Sequence, residues 1–252
     1  MVKKLLLLIA LIYMSVSNVF AGVSVITDIN ETVKRTRGEN FRGFYHSFLS
    51  HKMFGGMDFL LKEMDEYVDD LYLVSGSYDF MRFNVDKLAA AYKLKPKEIY
   101  TRAPFRHNSN FSYKYETIKR IIENSKEQQF ILMGDDAGVD QDVYAAIKKD
   151  FPGKILEIYI HVVKNEKKPS WTVEPFHTAF DVAVNEYNRG RLGKEKVFKI
   201  GKAVFNEEKF HKVFPGYAHC PKEAREISTK RQKDFDLLIG DITKRTLDFC
   251  NS

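Results

Sequence analysis

The chain has 252 residues, with 40 Lys and Arg against 34 Asp and Glu, a formal charge of +6, and 44% hydrophobic residues. That length suits one α/β domain with additions, and the apolar share is ample for a packed core; repeats and low-complexity tracts are absent. The mildly basic balance favours anionic partners such as phosphorylated substrates or acidic lipid surfaces, and nothing in it marks a nucleic-acid binder.

Residues 1–21 read as an export signal: Lys3 and Lys4 form a charged start, residues 5–14 an apolar stretch, and Val19-Phe20-Ala21 a small-residue cleavage site. The apolar stretch is short for a span of ~20 residues, so cleavage after Ala21 and a periplasmic or secreted location are expected; an uncleaved anchor is the alternative. No later segment is long and apolar enough to cross a bilayer. Residues 23–26, 71–74, 130–133 and 155–163 are apolar runs suited to buried parallel strands. Helical-period stretches at 57–67, 80–92, 115–122 and 143–147 alternate with them. This alternation predicts an α/β fold, a Rossmann-like parallel sheet with helices on both faces, over residues 22–163.

Beyond residue 163 the composition shifts. Residues 164–170 are polar and read as a linker, and 176–187 form an amphipathic helix. Residues 191–252 are expected to be mostly helical, with breaks at Phe214-Pro215-Gly216 and Pro221. Residues 164–252 are thus a C-terminal helical extension without evident chemistry; a peripheral membrane or partner contact is the alternative to simple packing. The only cysteines, Cys220 and Cys250, lie here. In an exported protein they either pair or remain two core thiols, and no second cysteine is near enough to either for a metal site.

Four chemical features fall in order at the ends of these elements: Asp28 after the first strand, Ser75 in Leu73-Val74-Ser75-Gly76-Ser77 at the end of the second, Lys114 just before a helix, and Gly134-Asp135-Asp136-Ala137-Gly138-Val139-Asp140 after the strand at 130–133. Singly each has an ordinary explanation, as a turn former, a helix cap or a solvated side chain. Together they match a site beyond the carboxyl ends of strands, where open α/β sheets bind ligands.

These residues resemble the haloacid dehalogenase superfamily of aspartate-nucleophile phosphohydrolases. More narrowly they resemble the actin-patch-type phosphatidate phosphatase catalytic domain, a relative of the lipin catalytic domain. Thr27-Asp28-Ile29-Asn30-Glu31-Thr32-Val33-Lys34-Arg35-Thr36 is close to that family's Ser-Asp-Ile-Asp-Asp-Thr-(Ile/Val)-Lys-x-Thr, and Val74-Ser75-Gly76-Ser77-Tyr78 to its Val-Ser-Ala-Ser-Pro. Phe130-Ile131-Leu132-Met133-Gly134-Asp135 through Tyr144 is close to its Phe-Ile-Leu-(Ile/Val)-Gly-Asp-Ser-Gly-Gln-x-Asp-Pro-Glu-Ile-Tyr. The resemblance covers residues 22–163. It implies a haloacid dehalogenase-like fold and Mg²⁺ dependence, with Asp28 as the nucleophile that forms an aspartyl-phosphate. The implied metal ligands are Asp28, the backbone carbonyl of Asn30, and Asp135, with Asp140, in preference to Asp136, orienting metal-bound water. Ser75 and Gly76 would contact the phosphate, Lys114 would balance charge, and Thr32 would support the loop.

One position departs from the pattern. Position 30 is the general acid/base in this superfamily, and Asn30 has no titratable carboxyl. Glu31 is a poor substitute if the segment is extended, since adjacent side chains then point apart. Two functions are therefore expected to compete. The first is an exported Mg²⁺-dependent phosphohydrolase, weakened or altered at position 30, acting on a phosphorylated small molecule or a phospholipid headgroup. The second is a catalytically impaired phosphate- or phosphatidate-binding module. Specificity is expected from residues 37–57 and 82–113; the second segment offers Arg102, Arg106 and His107 as anion contacts. His46 and His51 do not suggest a zinc site.

Overall fold

A computed structural model describes residues 22–36, 51–104, 106, 108–125, 128–165, 173–224 and 232–252. The expected leader at 1–21, His46, His107 and residues 166–170 of the expected linker lie outside the described residues.

Six strands form one parallel sheet: β1 (Val23–Thr27), β2 (Asp70–Tyr78), β3 (Glu98–Arg102), β4 (Gln129–Asp135), β5 (Ile155–His161) and β6 (Glu174–Phe176), in the order β3-β2-β1-β4-β5-β6. β1 and β4 lie side by side although about a hundred residues separate them, with Thr27 beside Met133. The strand order therefore reverses between these two strands, the place where such sheets open a crevice at their carboxyl ends.

The central strands are apolar on both faces because helices cover both. On one face Ile26, Val74 and Leu132 pack against Ile118 and Ile122 of α3 (Asn110–Asn124) and Ile147 of α4 (Asp140–Asp150). On the other, Val25, Leu73 and Ile131 share a core with Leu60 of α1 (Met57–Met64), Val85 and Leu88 of α2 (Arg82–Ala91), Phe180 of α5 (Ala179–Asn188), Ile200 of α6 (Lys194–Phe205) and Ile242 of α7 (Asp236–Cys250). No helix among the described residues is long and apolar enough to cross a membrane.

Three local outcomes differ from the sequence reading. β3 and β6 are additional strands. β3 buries only Ile99 of its five residues, and β6 is three residues long with Pro175 inside it, so neither carries an apolar run. Helix α3 starts five residues before the apolar periodicity does. Ser109 accepts the Ser112 N–H at 3.1 Å and caps it, which places Lys114 inside the helix rather than ahead of it. β2 runs on through Ser75–Ser77, with a register shift against β3 between Val74 and Tyr78.

The C-terminal part is more than a helical appendage. β6 extends the sheet, α5 and α6 cover α1, and Glu186 of α5 makes a polar joint with the older core. Its fully buried carboxylate accepts the Tyr67 hydroxyl at 2.7 Å, the Tyr159 hydroxyl at 2.5 Å, and two Arg191 guanidinium N–H groups at 2.7 Å each. A charge in that position needs such a set of donors.

Cys220 and Cys250 form a disulfide, with Cα atoms 5.6 Å apart and a sequence separation of 30. It ties the segment that follows Phe214 to the end of α7, where the Phe249 ring meets Phe210 and Phe214 at 5.7 and 6.3 Å. Closing a loop of this length restricts the unfolded chain by ~3–4 kcal/mol. Thermal unfolding of Cys220→Ser, or of the native protein in reductant, is expected to show a clearly lower midpoint. An unchanged midpoint would mean the link adds no stability.

Candidate active site

β1 delivers Asp28 to the crevice. The Asp28 N–H donates to the Met133 carbonyl at 2.8 Å, so the loop after β1 is hung directly on β4. β4 ends in Asp135, and α4 begins with Asp140. A side chain at Gly134 would place its Cβ 2.6 Å from the Cβ of Asp140, so glycine there lets the helix close onto the strand end. α3 brings Lys114 from the other side.

The Lys114 ammonium lies 2.6 Å from Asp28 Oδ1 and 2.5 Å from Asp140 Oδ1, with all three side chains buried. Asp140 Oδ2 accepts the Asp135 N–H at 3.3 Å. The Asp135 carboxylate is turned by Ala137 N–H at 2.8 Å and Gly138 N–H at 3.1 Å, and Thr32 Oγ1 lies 3.3 Å from it and 3.5 Å from Asp28. One oxygen each from Asp28, Asp135 and Asp140 lies within 4.8 Å of the others.

Three carboxylates and one ammonium leave this buried cluster short of positive charge, and its titration behaviour reflects that. Burial raises Asp28 to about 7; Lys114 opposes the rise and Asp140 adds to it. Burial, then the Asp140 and Asp28 charges, hold Asp135 well above the usual carboxylate range. Burial works against the Lys114 ammonium, yet Asp140, Asp28 and Asp135 together hold its proton more tightly than usual. A set of hard oxygen donors with excess negative charge fits an oxygen-seeking divalent cation.

These groups open into a cavity of about 430 Å³, whose wall includes Asn30, Glu31, Gly76, Ser77, Tyr78 and Asn110. Gly76 permits the close approach of Asn110, whose Oδ1 would lie 2.5 Å from any Cβ at that position.

The expected site residues do not all share this cavity. Asp28, Asn30, Gly76, Lys114 and Asp135 line it, and Asp140 sits behind Lys114 and Asp135. Ser75 is fully buried, with its hydroxyl accepting the Ser77 N–H at 3.2 Å; Ser77 stands on the wall instead. Asp136 turns away, taking Val163, Lys164 and Asn165 N–H groups at 2.7, 2.8 and 2.6 Å, and so organises the loop after β5. Arg102 lies over the Tyr78 ring at 4.4 Å, one side chain removed from the cavity. Arg106 lines a separate polar cavity of about 230 Å³ with Asp79, Tyr100 and Arg120.

Position 30 and its neighbour are both engaged. Asn30 Nδ2 donates to Ser77 Oγ at 3.0 Å. Glu31 adopts φ 61°, a left-handed conformation, so the segment is not extended here, and its side chain lies on the cavity wall. There its carboxylate accepts the Thr36 hydroxyl, and the Tyr217 hydroxyl at 2.7 Å. The Glu31 carbonyl accepts Nδ1–H of His161 at 2.5 Å, whose ring sits between Phe54 and Phe176 and whose pKa burial pushes below the usual imidazole value. Ser77, Asn110, His161 and Tyr217 were not singled out from the sequence. Ser77 was signalled weakly by Ser-Gly-Ser, whereas Tyr217 reaches the cavity from the far end of the chain with no motif around it.

A family model described as "Phosphatidate phosphatase APP1, catalytic domain" matches residues 23–162. A comparison with curated proteins finds no match. Among solved structures, a chain described as "Structure of Pnkp1/Rnl/Hen1 complex" matches at 16% identity and TM-score 0.42, covering 54% of this chain and 45% of that chain. This chain therefore spans less than half of that one, and so loose a likeness carries no argument. The family match takes in more than half of the sequence, including every strand that bears a carboxylate of the buried cluster, and the chain belongs to the phosphatidate phosphatase APP1 catalytic-domain family.

Proposed function

We propose that the protein is an exported, Mg²⁺-dependent phosphohydrolase that transfers the phosphoryl group of a phosphate monoester, phosphatidate among the candidates, to Asp28 and then to water. The observation that carries this reading is the Asp28–Lys114–Asp140 contact beside Asp135, at the mouth of a cavity in a member of this family. Export is supported by the Cys220–Cys250 link, which belongs in an oxidising compartment.

Asp28, Asp135 and the carbonyl of Asn30 would hold the cation, with Asp140 placed to orient its water. Bound there, Mg²⁺ would offset the charge of a phosphate approaching a carboxylate. A carboxylate oxygen of Asp28 attacks phosphorus, a new O–P bond forms, and the ester oxygen leaves with the bonding pair. Lys114 stays protonated and stabilises the charge that builds on the transferring group. Ser77 and Asn30, already hydrogen-bonded to each other, present polar atoms at the cavity wall. Water then cleaves the aspartyl-phosphate and returns Asp28.

Asn30 brings no proton for the departing oxygen, and the Glu31 carboxylate is held by Thr36 and Tyr217. The leaving group must therefore take its proton from solvent, which favours good leaving groups. The same observation favours a second reading, a module that binds a phosphate head with little or no turnover.

Purified protein with Mg²⁺ is expected to release phosphate from an aryl phosphate ester, with Asp28→Asn falling to background; persistence of activity in that variant would exclude the aspartate nucleophile. Asn30→Asp is expected to raise turnover of alkyl phosphate esters by ~10-fold or more, a threshold set below the ~10²–10⁴-fold that a positioned acid/base supplies. If the wild type hydrolyses nothing while Asn30→Asp does, the binding reading replaces the enzymatic one.

A further inference from the structure

Three of the six large hydrophobic side chains exposed among the described residues sit together beside the cavity: Tyr78, Phe80 and Phe83, at 38%, 62% and 42% exposure. Tyr78 ends β2, Phe80 lies in the single helical turn Asp79–Met81, and Phe83 is the second residue of α2. The Tyr78 and Phe80 rings stack at 5.7 Å and 16°. Phe80 and Phe83 are three residues apart on consecutive helical turns and so share a face. The stacked Tyr78–Phe80 pair, followed by Phe83 one helical turn on, makes a short aromatic ridge that reaches the site, because Tyr78 and Met81 also line the cavity.

Cations lie along this ridge. The Arg102 guanidinium rests 4.4 Å from the Tyr78 ring centre and the Lys87 ammonium 5.4 Å from that of Phe83. The neighbouring acids are engaged locally: Asp86 faces Arg82 at 3.9 Å, and Asp79 accepts the Thr101 hydroxyl at 2.5 Å. A contiguous exposed apolar patch marks a contact surface. Aromatic rings flanked by Lys and Arg suit the boundary of an anionic bilayer, where the rings enter the headgroup layer and the cations meet its negative charge.

We propose that this ridge is where the protein settles on an anionic phospholipid surface, so that a lipid phosphate enters the cavity past Tyr78 while its acyl chains stay in the bilayer. The lipid-delivery half of this proposal rests on the phosphohydrolase reading above; the docking half does not.

The test pairs vesicle cosedimentation with turnover of a soluble aryl phosphate. Wild type is expected to sediment with vesicles of equal parts phosphatidylglycerol and phosphatidylcholine and to ignore phosphatidylcholine alone. Phe80→Ser/Phe83→Ser is expected to lower that partitioning ~10-fold or more, since two buried rings are lost from the contact, with aryl phosphate turnover and thermal midpoint unchanged. Lys87→Glu should weaken binding to the anionic vesicles. Undiminished binding by the double variant, or equal binding of wild type to neutral vesicles, would overturn the proposal. So would a wild-type dimer that binds no vesicles and that the double variant converts to monomer. Ridge-dependent vesicle binding without hydrolysis of any phosphate ester would uphold the docking surface and remove the phosphohydrolase reading. Aryl phosphate turnover without vesicle binding would do the reverse.

Discussion

Three carboxylates buried around one ammonium set the terms for the rest of this molecule. Like charges at such separations repel more strongly when buried than in bulk water, and Lys114 neutralises only part of the charge. The fold bears that cost by rigidity. Asp28 is pinned to β4 through its own N–H, Asp135 through two N–H groups of the following turn, and Asp140 by the first turn of α4 and by Lys114. The order reversal between β1 and β4 is what allows the first and fourth motifs to meet at all. Such an arrangement is poor as a stability device and well suited to receiving a cation and a phosphate.

The loop after β1 depends equally on residues that come late in the chain. Glu31 holds a left-handed backbone conformation, supported by His161 from β5 at its carbonyl and by Tyr217 at its carboxylate. The segment carrying Tyr217 is itself fastened: the His219 N–H donates to the Val163 carbonyl at 2.6 Å, the Gly55 N–H donates to the Lys212 carbonyl at 2.8 Å, and Cys220 is linked to Cys250. One wall of the cavity is thus built from the part of the sequence that displays no chemistry of its own.

The sheet and its motifs were legible because buried parallel strands are apolar on both faces, and a carboxylate at the end of such a run stands out. Residues 23–26, 71–74, 130–133 and 155–163 lie over β1, β2, β4 and β5 in this way. β3 and β6 carry no such signal, since an edge strand and a three-residue strand with proline bury too little. Ser75 is fully buried while Ser77 stands on the cavity wall, and a Ser-Gly-Ser run offers both hydroxyls without telling them apart. The placing of Glu31 on the wall is likewise not legible in a sequence, because adjacent side chains diverge only while the backbone stays extended. The disulfide was an open alternative in the sequence because connectivity is a property of the folded chain.

The family match stops at residue 162, yet the hydrophobic interior does not. Phe176, Phe180, Val197, Ile200 and Phe214 fill the same core as Val25, Leu73 and Ile131. Cutting the polypeptide where the homology ends would therefore remove part of the cover of one face of the sheet and leave the Tyr67 and Tyr159 hydroxyls without the carboxylate that receives them. The stretch that carries the family likeness and the stretch that shares its hydrophobic interior are therefore different lengths of chain.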